Sequence, residues 1–243
     1  RSGRHQNAWM YYGGGIEAME PLFKDYGCVQ FPCGNTGAQM GGWFRKEIKS
    51  VADLKGLKMR IGGLAGQVLA KLGVVAQQIA GGEIYPALER GTIDAAEWVG
   101  PYDDEKLGFY KIAKNYYYPG WWEPCSMYHV MINLEKWNGL PKAYQEAIIS
   151  AARETNLDMV AEYDAKNRLA LTRLKAAGVT IRKFSDEILE GSFKAATAMY
   201  DEEAAKNPKF KAIYDSWKTF RAEEAQWFAL AESAMDQFFA TKL

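Results

Sequence analysis

The chain has 243 residues, and its thirty Lys and Arg are matched by thirty Asp and Glu. Hydrophobic residues make up 48% and charged residues 25%, which is the composition of a folded globular chain and excludes a disordered one. Zero formal charge gives no support to nucleic acid as the main partner, and no run of about 18 apolar residues offers a membrane span.

The first sixty residues are rich in glycine and aromatics. Ala8 to Glu20 predicts a short helix around Gly13-Gly14-Gly15. Those three glycines lack the spacing of a dinucleotide fingerprint, so a turn or helix-start role fits them better. Cys28 to Phe31 reads as a strand, followed by a glycine-rich loop from Pro32 to Gly42 and then Trp43-Phe44. Val51 to Leu54, stopped by Gly56, reads as a short helix. Leu57-Lys58-Met59-Arg60-Ile61 alternates apolar and polar residues as a strand does.

A repeating texture follows. Leu64 to Leu72 is an amphipathic helix closed by Gly73, and Val74 to Ala76 a short strand. Glu83 to Arg90 is a second helix, closed by Gly91, and Thr92 to Val99 a strand broken by Gly100-Pro101. Strands alternating with helices of this length indicate α/β units and a largely parallel sheet. Tyr116 to Tyr118 and Met127 to Asn133 are further strands. From Pro141 to Ala177 helical spacing dominates and Gly178 stops it; Pro141 suits the first turn. Val179 to Phe184 returns as a strand. Ser185 caps a helix over 186–206, and Pro208 restarts one that runs to about Phe239. That last segment carries Tyr214, Trp217, Phe220, Trp227, Phe228, Phe238 and Phe239, an apolar stripe that needs either the body of the chain or a second subunit to pack on.

Three cysteines, Cys28, Cys33 and Cys125, are too few for a disulfide framework and read as buried small hydrophobes. The two histidines, His5 and His129, lie far apart, and no Cys/His cluster has zinc spacing. Arg60 ends a strand just before Gly62-Gly63, where open α/β sheets place ligands. By position alone it is either a grip for a carboxylate or a surface arginine. Glu97-Trp98 occupies the equivalent place after the next strand. A buried acid there needs a donor or a hard cation such as Na⁺ or Ca²⁺, and the alternative is a solvated or salt-bridged glutamate. Gln39 lies in the loop Gly34 to Trp43, whose small residues let backbone approach a ligand. Tyr116 to Pro124 either walls a pocket, with Glu123 as its polar member, or is core.

Several stretches together resemble the solute-binding component of TRAP transporters, the DctP-like family, and within it the branch of 2-oxoacid binders. They are Tyr11 to Gly15, Gly37 to Phe44, Gly56 to Arg60, Gly81 to Gly91, Ile93 to Pro101 and Tyr118 to Trp121. The resemblance implies an α/β, periplasmic-binding-protein-like fold with two lobes, a long interlobe helix and a long C-terminal helix. It implies that 1–34 is the remainder of lobe I and that 35–125 is mainly lobe II with the ligand site. Residues 126–243 would then hold the return to lobe I, the connecting helix and the C-terminal helices. Members of the family are longer, so the start of this chain falls well inside their first lobe.

The implied function is a non-enzymatic periplasmic protein that binds a small organic acid, such as pyruvate, and delivers it to a TRAP permease in the membrane. The implied substrate set is Arg60, Gln39, Trp98 and Asn35. The implied cation set, for Na⁺ or another hard cation such as Ca²⁺, is Gln39, Glu97, the Trp98 carbonyl and Glu123. Trp122 stands where a histidine is expected and Gly62 where proline is common. A helix-swapped homodimer is expected from the aromatic segment 208–239. Two alternatives stand beside this reading: an α/β enzyme using Glu97 as acid or base, and a ligand-binding sensor domain.

Overall fold

The computed structural model describes residues 3–242. Helix α1 (Gly3–Tyr12) and helix α2 (Gly15–Asp25) meet at Gly13-Gly14. The expected single helix is split there because Gly14 takes φ +81°, outside helical geometry, while Gly13 leaves room for the Phe220 ring, from which a Cβ would lie only 2.6 Å. Strands β1 (Cys28–Asn35), β2 (Gly42–Phe44) and β3 (Lys58–Arg60) follow, with a short 3-10 turn at Val51–Leu54. Then come α3 (Gly63–Lys71), β4 (Val75–Gln77), α4 (Gly81–Glu89), β5 (Ala95–Ala96) and α5 (Pro101–Leu107). Strands β6 (Asn115–Tyr118) and β7 (Met127–Asn133) lead through the short helix α6 (Leu134–Asn138) into α7 (Lys142–Ala176). Strand β8 (Thr180–Lys183) precedes α8 (Asp186–Lys206), α9 (Pro208–Phe228) and α10 (Ala234–Ala240).

These strands form two sheets. β1 and β7 pair antiparallel as a ribbon, with an irregularity between Pro32 and Gly34 that leaves Cys33 out of register. The other six form a sheet in the order β4-β3-β5-β2-β6-β8. It is mixed rather than largely parallel, because β2 runs antiparallel to both neighbours, β5 and β6. Segment 126–243 contributes to both sheets, since β7 pairs with β1 and β8 with β6.

The large sheet is buried on both faces, and the side-chain alternation of a strand sorts its core. Trp43, Ala96 and Tyr116 face one apolar cluster with Ile84 and Leu88 of α4 and Leu174 of α7. Their chain neighbours Phe44, Ala95 and Tyr117 face the other, with Met59, Leu69 of α3 and Phe184. Trp43 stacks on Tyr116 at 3.8 Å between centroids and lies in register with Ala96, large against small. Helix α7 has 35 residues, about 52 Å at 1.5 Å per residue, and ties the two sheets together. Toward its middle, Asn156 is buried and donates to Asn7 Oδ1 of α1 at 2.8 Å; near its end, Leu174 enters the large-sheet core.

The C-terminal aromatic stripe divides. α9 packs on α1, α2 and α8 of the same chain, with Trp217 and Phe220 against Trp9 and Gly13. Trp227, Leu230, Met235, Phe238 and Phe239 remain exposed. No exchange of helices is needed to cover the first half of the stripe. The three cysteines are free and only half-buried, less sequestered than expected. No helix among the described residues is long and apolar enough to cross a membrane.

Candidate functional site

The site begins at the ends of two parallel neighbours. β3 and β5 pair with Arg60 opposite Ala96, which brings Arg60 and the next residue, Glu97, to the same edge. The strand predicted over 92–99 is only Ala95–Ala96. The chain leaves the sheet at Glu97, whose backbone N–H donates to the Arg60 carbonyl at 3.1 Å. The Arg60 guanidinium is fixed from three directions. Nε donates to the Ile79 carbonyl at 3.3 Å, and Nη1 donates to the Glu97 carbonyl at 2.7 Å and to its Oε2 at 3.2 Å. The Trp98 ring lies 5.0 Å from the guanidinium carbon. The two N–H groups of Nη2 have no hydrogen-bond partner among the described residues.

Glu97 is 5% exposed. Burial pushes its carboxyl up to about 8; Arg60 pulls it down, and the nearby carboxylates of Glu123 and Asp104 push it up further. A single guanidinium contact does not offset removal of the carboxylate from water. The group therefore holds a proton near neutral pH unless another cation stands beside it.

The second half of the site is built where the chain crosses between the sheets, along 36–41 and 119–126. The two crossings are laced together. Thr36 N–H donates to the Ser126 carbonyl at 3.0 Å, Gln39 N–H to the Pro124 carbonyl at 3.3 Å and Gly120 N–H to the Gln39 carbonyl at 3.1 Å, while Met40 N–H ties the first crossing to the turn after Glu97 through the Val99 carbonyl at 2.9 Å. A Cβ at Gly120 would lie 2.7 Å from the Gln39 carbonyl oxygen, so only glycine allows this approach. The Gln39 side chain is buried. Its Nε2 donates to Thr36 Oγ1 and Ser126 Oγ, both at 3.0 Å, while its Oε1 has no partner among the described residues. Ser126 Oγ in turn donates to Glu123 Oε1.

A cavity of about 530 Å³ opens between the two halves. Arg60, Glu97, Trp98, Trp122 and Glu123 line it together with Ser126, Tyr128, Leu64 and Tyr200. Four of the residues predicted from sequence thus converge, and Gln39 reaches the cavity wall through Ser126. Asn35 is a correction. Its Oδ1 accepts from Gly37 N–H at 2.9 Å and its Nδ2 donates to Gln6 Oε1 at 3.0 Å, so the buried amide shapes the loop from behind and does not line the cavity. The indole Nε1 of Trp122 is a buried donor without a partner among the described residues.

Two residues that hold these side chains and this turn in place escape sequence reading. Ser126 links Gln39 to Glu123, yet a single serine after Pro124-Cys125 carries no pattern. Asp104, in α5, is fully buried and accepts from Trp43 Nε1 at 2.8 Å, Tyr116 OH at 2.7 Å and Val99 N–H at 3.1 Å. Burial raises its carboxyl to about 6 against those three hydrogen bonds. It anchors the turn that carries Glu97 and Trp98. The signal for it was an acid three residues past a proline at a helix start.

Residues 4–207 match the family model described as DctP, bacterial extracellular solute-binding protein, family 7. The chain belongs to this family. The DctP family is one of solute-binding proteins, not enzymes, which displaces the reading of Glu97 as a catalytic acid or base. The chain is 53% identical over 235 residues to the monocarboxylate 2-oxoacid-binding periplasmic protein of Nostoc sp., covering 97% of this chain and 65% of that protein. It thus spans just under two thirds of that relative's length.

A TRAP transporter solute-binding protein from Bordetella bronchiseptica superposes with a TM-score of 0.96 at 53% identity, covering 100% of this chain and 72% of that one. It is a mixed-occupancy dimer with copurified calcium and picolinate in one active site and the other site apo. A TRAP periplasmic solute-binding protein from Pseudoalteromonas atlantica, with bound sodium and pyruvate, superposes with a TM-score of 0.93 at 43% identity, covering 98% and 72%. These likenesses establish the two-lobed α/β fold with its long helices.

The donor set suits a hard cation of the kind those relatives hold. No three His, Cys, Asp or Glu side chains gather as a metal cluster among the described residues. The oxygens on offer are two carboxylates, the unpartnered amide oxygen of Gln39 and backbone carbonyls, a mixture that hard cations accept and zinc does not favour.

Proposed function

We propose that this chain is the periplasmic solute-binding part of a TRAP transporter, taking up a small 2-oxoacid such as pyruvate and delivering it to a membrane permease. In this reading Arg60 grips the ligand carboxylate with its unengaged Nη2. Gln39 Oε1, Glu97, the Trp98 carbonyl and Glu123 hold Na⁺ or Ca²⁺, which supplies positive charge to the carboxylate and the 2-oxo oxygen. The observation that carries it is the pairing of a guanidinium with free donors and a desolvated Glu97 carboxyl that lacks enough positive charge to ionise. The 2-oxoacid and cation readings rest also on the Nostoc, Bordetella and Pseudoalteromonas relatives.

The two sheets correspond to two lobes in this proposal, the β1–β7 ribbon to lobe I and the six-stranded sheet to lobe II, with the ligand in the cleft between. Calorimetric titration of pyruvate into cation-stripped protein, then with Na⁺ or Ca²⁺ restored, tests the site. Tight binding without turnover only when the cation is present supports it, and binding indifferent to the cation sinks it. A homodimer through the C-terminal helices belongs to the same reading. The exposed apolar side chains from Trp227 to Phe239 and the dimeric Bordetella relative support it. Light scattering at micromolar concentration that finds only monomer removes it.

A further inference from the structure

Helix α5 begins at Pro101, soon after Trp98, so its first turn fixes where the Glu97-Trp98 backbone stands. That turn does not cap itself. Pro101 has no N–H, which makes Tyr102 the first donor of the helix in need of a partner, and Gly100, at the capping position, has no side chain to accept from it. The acceptor comes from α7 instead: Tyr102 N–H donates to Asn167 Oδ1 at 2.9 Å. Gly100 takes φ −166°, extended backbone that any residue adopts, so conformation does not call for glycine there. Space does. A Cβ on Gly100 would lie 3.2 Å from Asn167 Oδ1, tighter than an ordinary contact. The Asn167 amide occupies the place of the missing cap side chain.

Tyr163, Asn167, Ala170 and Leu174 share one face of α7. Tyr163 OH donates to Asp103 Oδ2 at 2.5 Å, Ala170 is fully buried and Leu174 enters the large-sheet core, so α5 is docked along that face. We infer that Asn167 is a positioning residue for the cation site: it caps α5 from another helix and thereby seats the turn that presents the Glu97 carboxylate and the Trp98 carbonyl. This rests on the cation reading proposed above. Asp104 holds Val99 N–H from within α5 itself, so any shift of the first turn of α5 carries that bond with it. Asn167 ties the same turn to a helix outside it. Without the cap, a cation must select the seated turn from a population that includes unseated ones, and its affinity falls by about the worth of a cap, roughly fivefold.

The test combines calorimetric titration of Ca²⁺ in the presence of pyruvate with hydrogen exchange at the Tyr102 amide. It compares the unmodified chain with Asn167→Ala, Gly100→Ser and the double variant. Asn167→Ala is expected to unprotect the Tyr102 amide and to weaken Ca²⁺ roughly fivefold. Gly100→Ser alone crowds the Asn167 amide and is expected to weaken Ca²⁺ as well. In the double variant the serine enters the space that Asn167 leaves and accepts from the first turn of α5. Amide protection and Ca²⁺ affinity are then expected to return to within about twofold of the unmodified chain, a rescue that two independent losses do not give. Arg173→Ala breaks the exposed Arg173–Glu105 pair of the same helix contact and is expected to leave Ca²⁺ affinity within about twofold. Asn167→Ser, too short to reach Tyr102, replaces the alanine variant if that one does not fold. Unchanged affinity in Asn167→Ala, a double variant no better than Asn167→Ala, or an equal loss in Arg173→Ala overturns the inference, while Ca²⁺ binding by the unmodified chain leaves the cation reading standing. Failure of the unmodified chain to bind Ca²⁺ overturns both.

Discussion

Arg60 holds the backbone carbonyl of Glu97 at 2.7 Å, more closely than it holds the Glu97 carboxylate, at 3.2 Å. The guanidinium is thus positioned by main chain, and its contact with the acid is the weaker one. Arg60→Met removes the proposed carboxylate grip and is expected to lower pyruvate affinity at least about a hundredfold, the scale of a lost charge-assisted pair in a desolvated site. Stability of the cation-free chain at pH 7 should change little, because Glu97 already favours its protonated form there. Arg60→Lys keeps the charge but not the planar fork and should fall between. Calorimetry paired with thermal melts checks both parts. Normal affinity in Arg60→Met would falsify the assignment.

Glu97 gives a pH dependence with a definite sign. Its carboxyl is raised to about 8 in the folded chain, against 4.5 when free. The folded state therefore binds a proton more tightly than the unfolded one between those values. Without a cation, stability should fall as pH rises from about 5 to about 8, by on the order of a few kcal/mol. Cation and proton compete for the same oxygens. Cation affinity should therefore weaken as pH drops below 8, by up to about tenfold per unit. Urea melts at pH 5, 7 and 9, with and without Ca²⁺, read this directly. Stability of the cation-free chain that rises over the interval contradicts it.

Local patterns in the sequence recovered local structure. Ser185 caps α8 through a bond from Ile188 N–H, and β7 spans the residues Met127 to Asn133 that read as a strand. Pro141 and Gly178 bracket α7 within a residue. What escaped was set by partners far along the chain. The antiparallel placement of β2 between β5 and β6 depends on pairing Trp43 with Ala96 and Tyr116, fifty or more residues away, and no local spacing encodes it. Thr92 to Val99 reads as one strand, yet the ladder stops at Ala96 because Asp104 and Arg60 pull the following backbone out to form the site. Arg60 and Glu97 could be singled out because both lie at strand ends, where open sheets of this kind place ligands, and the structure sets the two side chains against each other. Asn35 pointed the wrong way because nothing in the sequence says that Gln6 occupies its amide.

Asp104 lies beneath the turn of Glu97 and Trp98 and holds three donors at once. Asp104→Ala strands Trp43 Nε1, Tyr116 OH and Val99 N–H in the interior. The expected loss is about 3–5 kcal/mol, since buried donors without partners cost about 1–3 kcal/mol each and water recovers part of that. Asp104→Asn turns an amide N–H₂ toward at least one of those donors and should cost roughly half as much. Because Val99 N–H is the link to the site, both variants should weaken ligand binding out of proportion to a surface change of equal destabilisation. Denaturation and titration of the same preparations measure the two effects. A destabilised variant with unaltered affinity would separate Asp104 from the site.

Glu123 bears on which cation the site accepts. Glu97, Glu123 and a bound 2-oxoacid together bring three carboxylates to one cavity, and Arg60 supplies one positive charge. Ca²⁺ completes the balance, whereas Na⁺ leaves one negative charge over. Unbalanced charge in a partly desolvated cavity is costly, because two unit charges about 4 Å apart interact by about 4 kcal/mol at an effective dielectric near 20. Glu123→Gln removes one carboxylate while the amide oxygen can still accept from Ser126 Oγ, so the loop is kept. A divalent ion then loses about twice the attraction that a monovalent one loses. The ratio of Ca²⁺ to Na⁺ affinity is therefore expected to fall by about tenfold or more, with pyruvate still bound in Na⁺. Competition calorimetry with the two cations measures that ratio, and a ratio that stays at the unmodified value places Glu123 outside the cation's ligands.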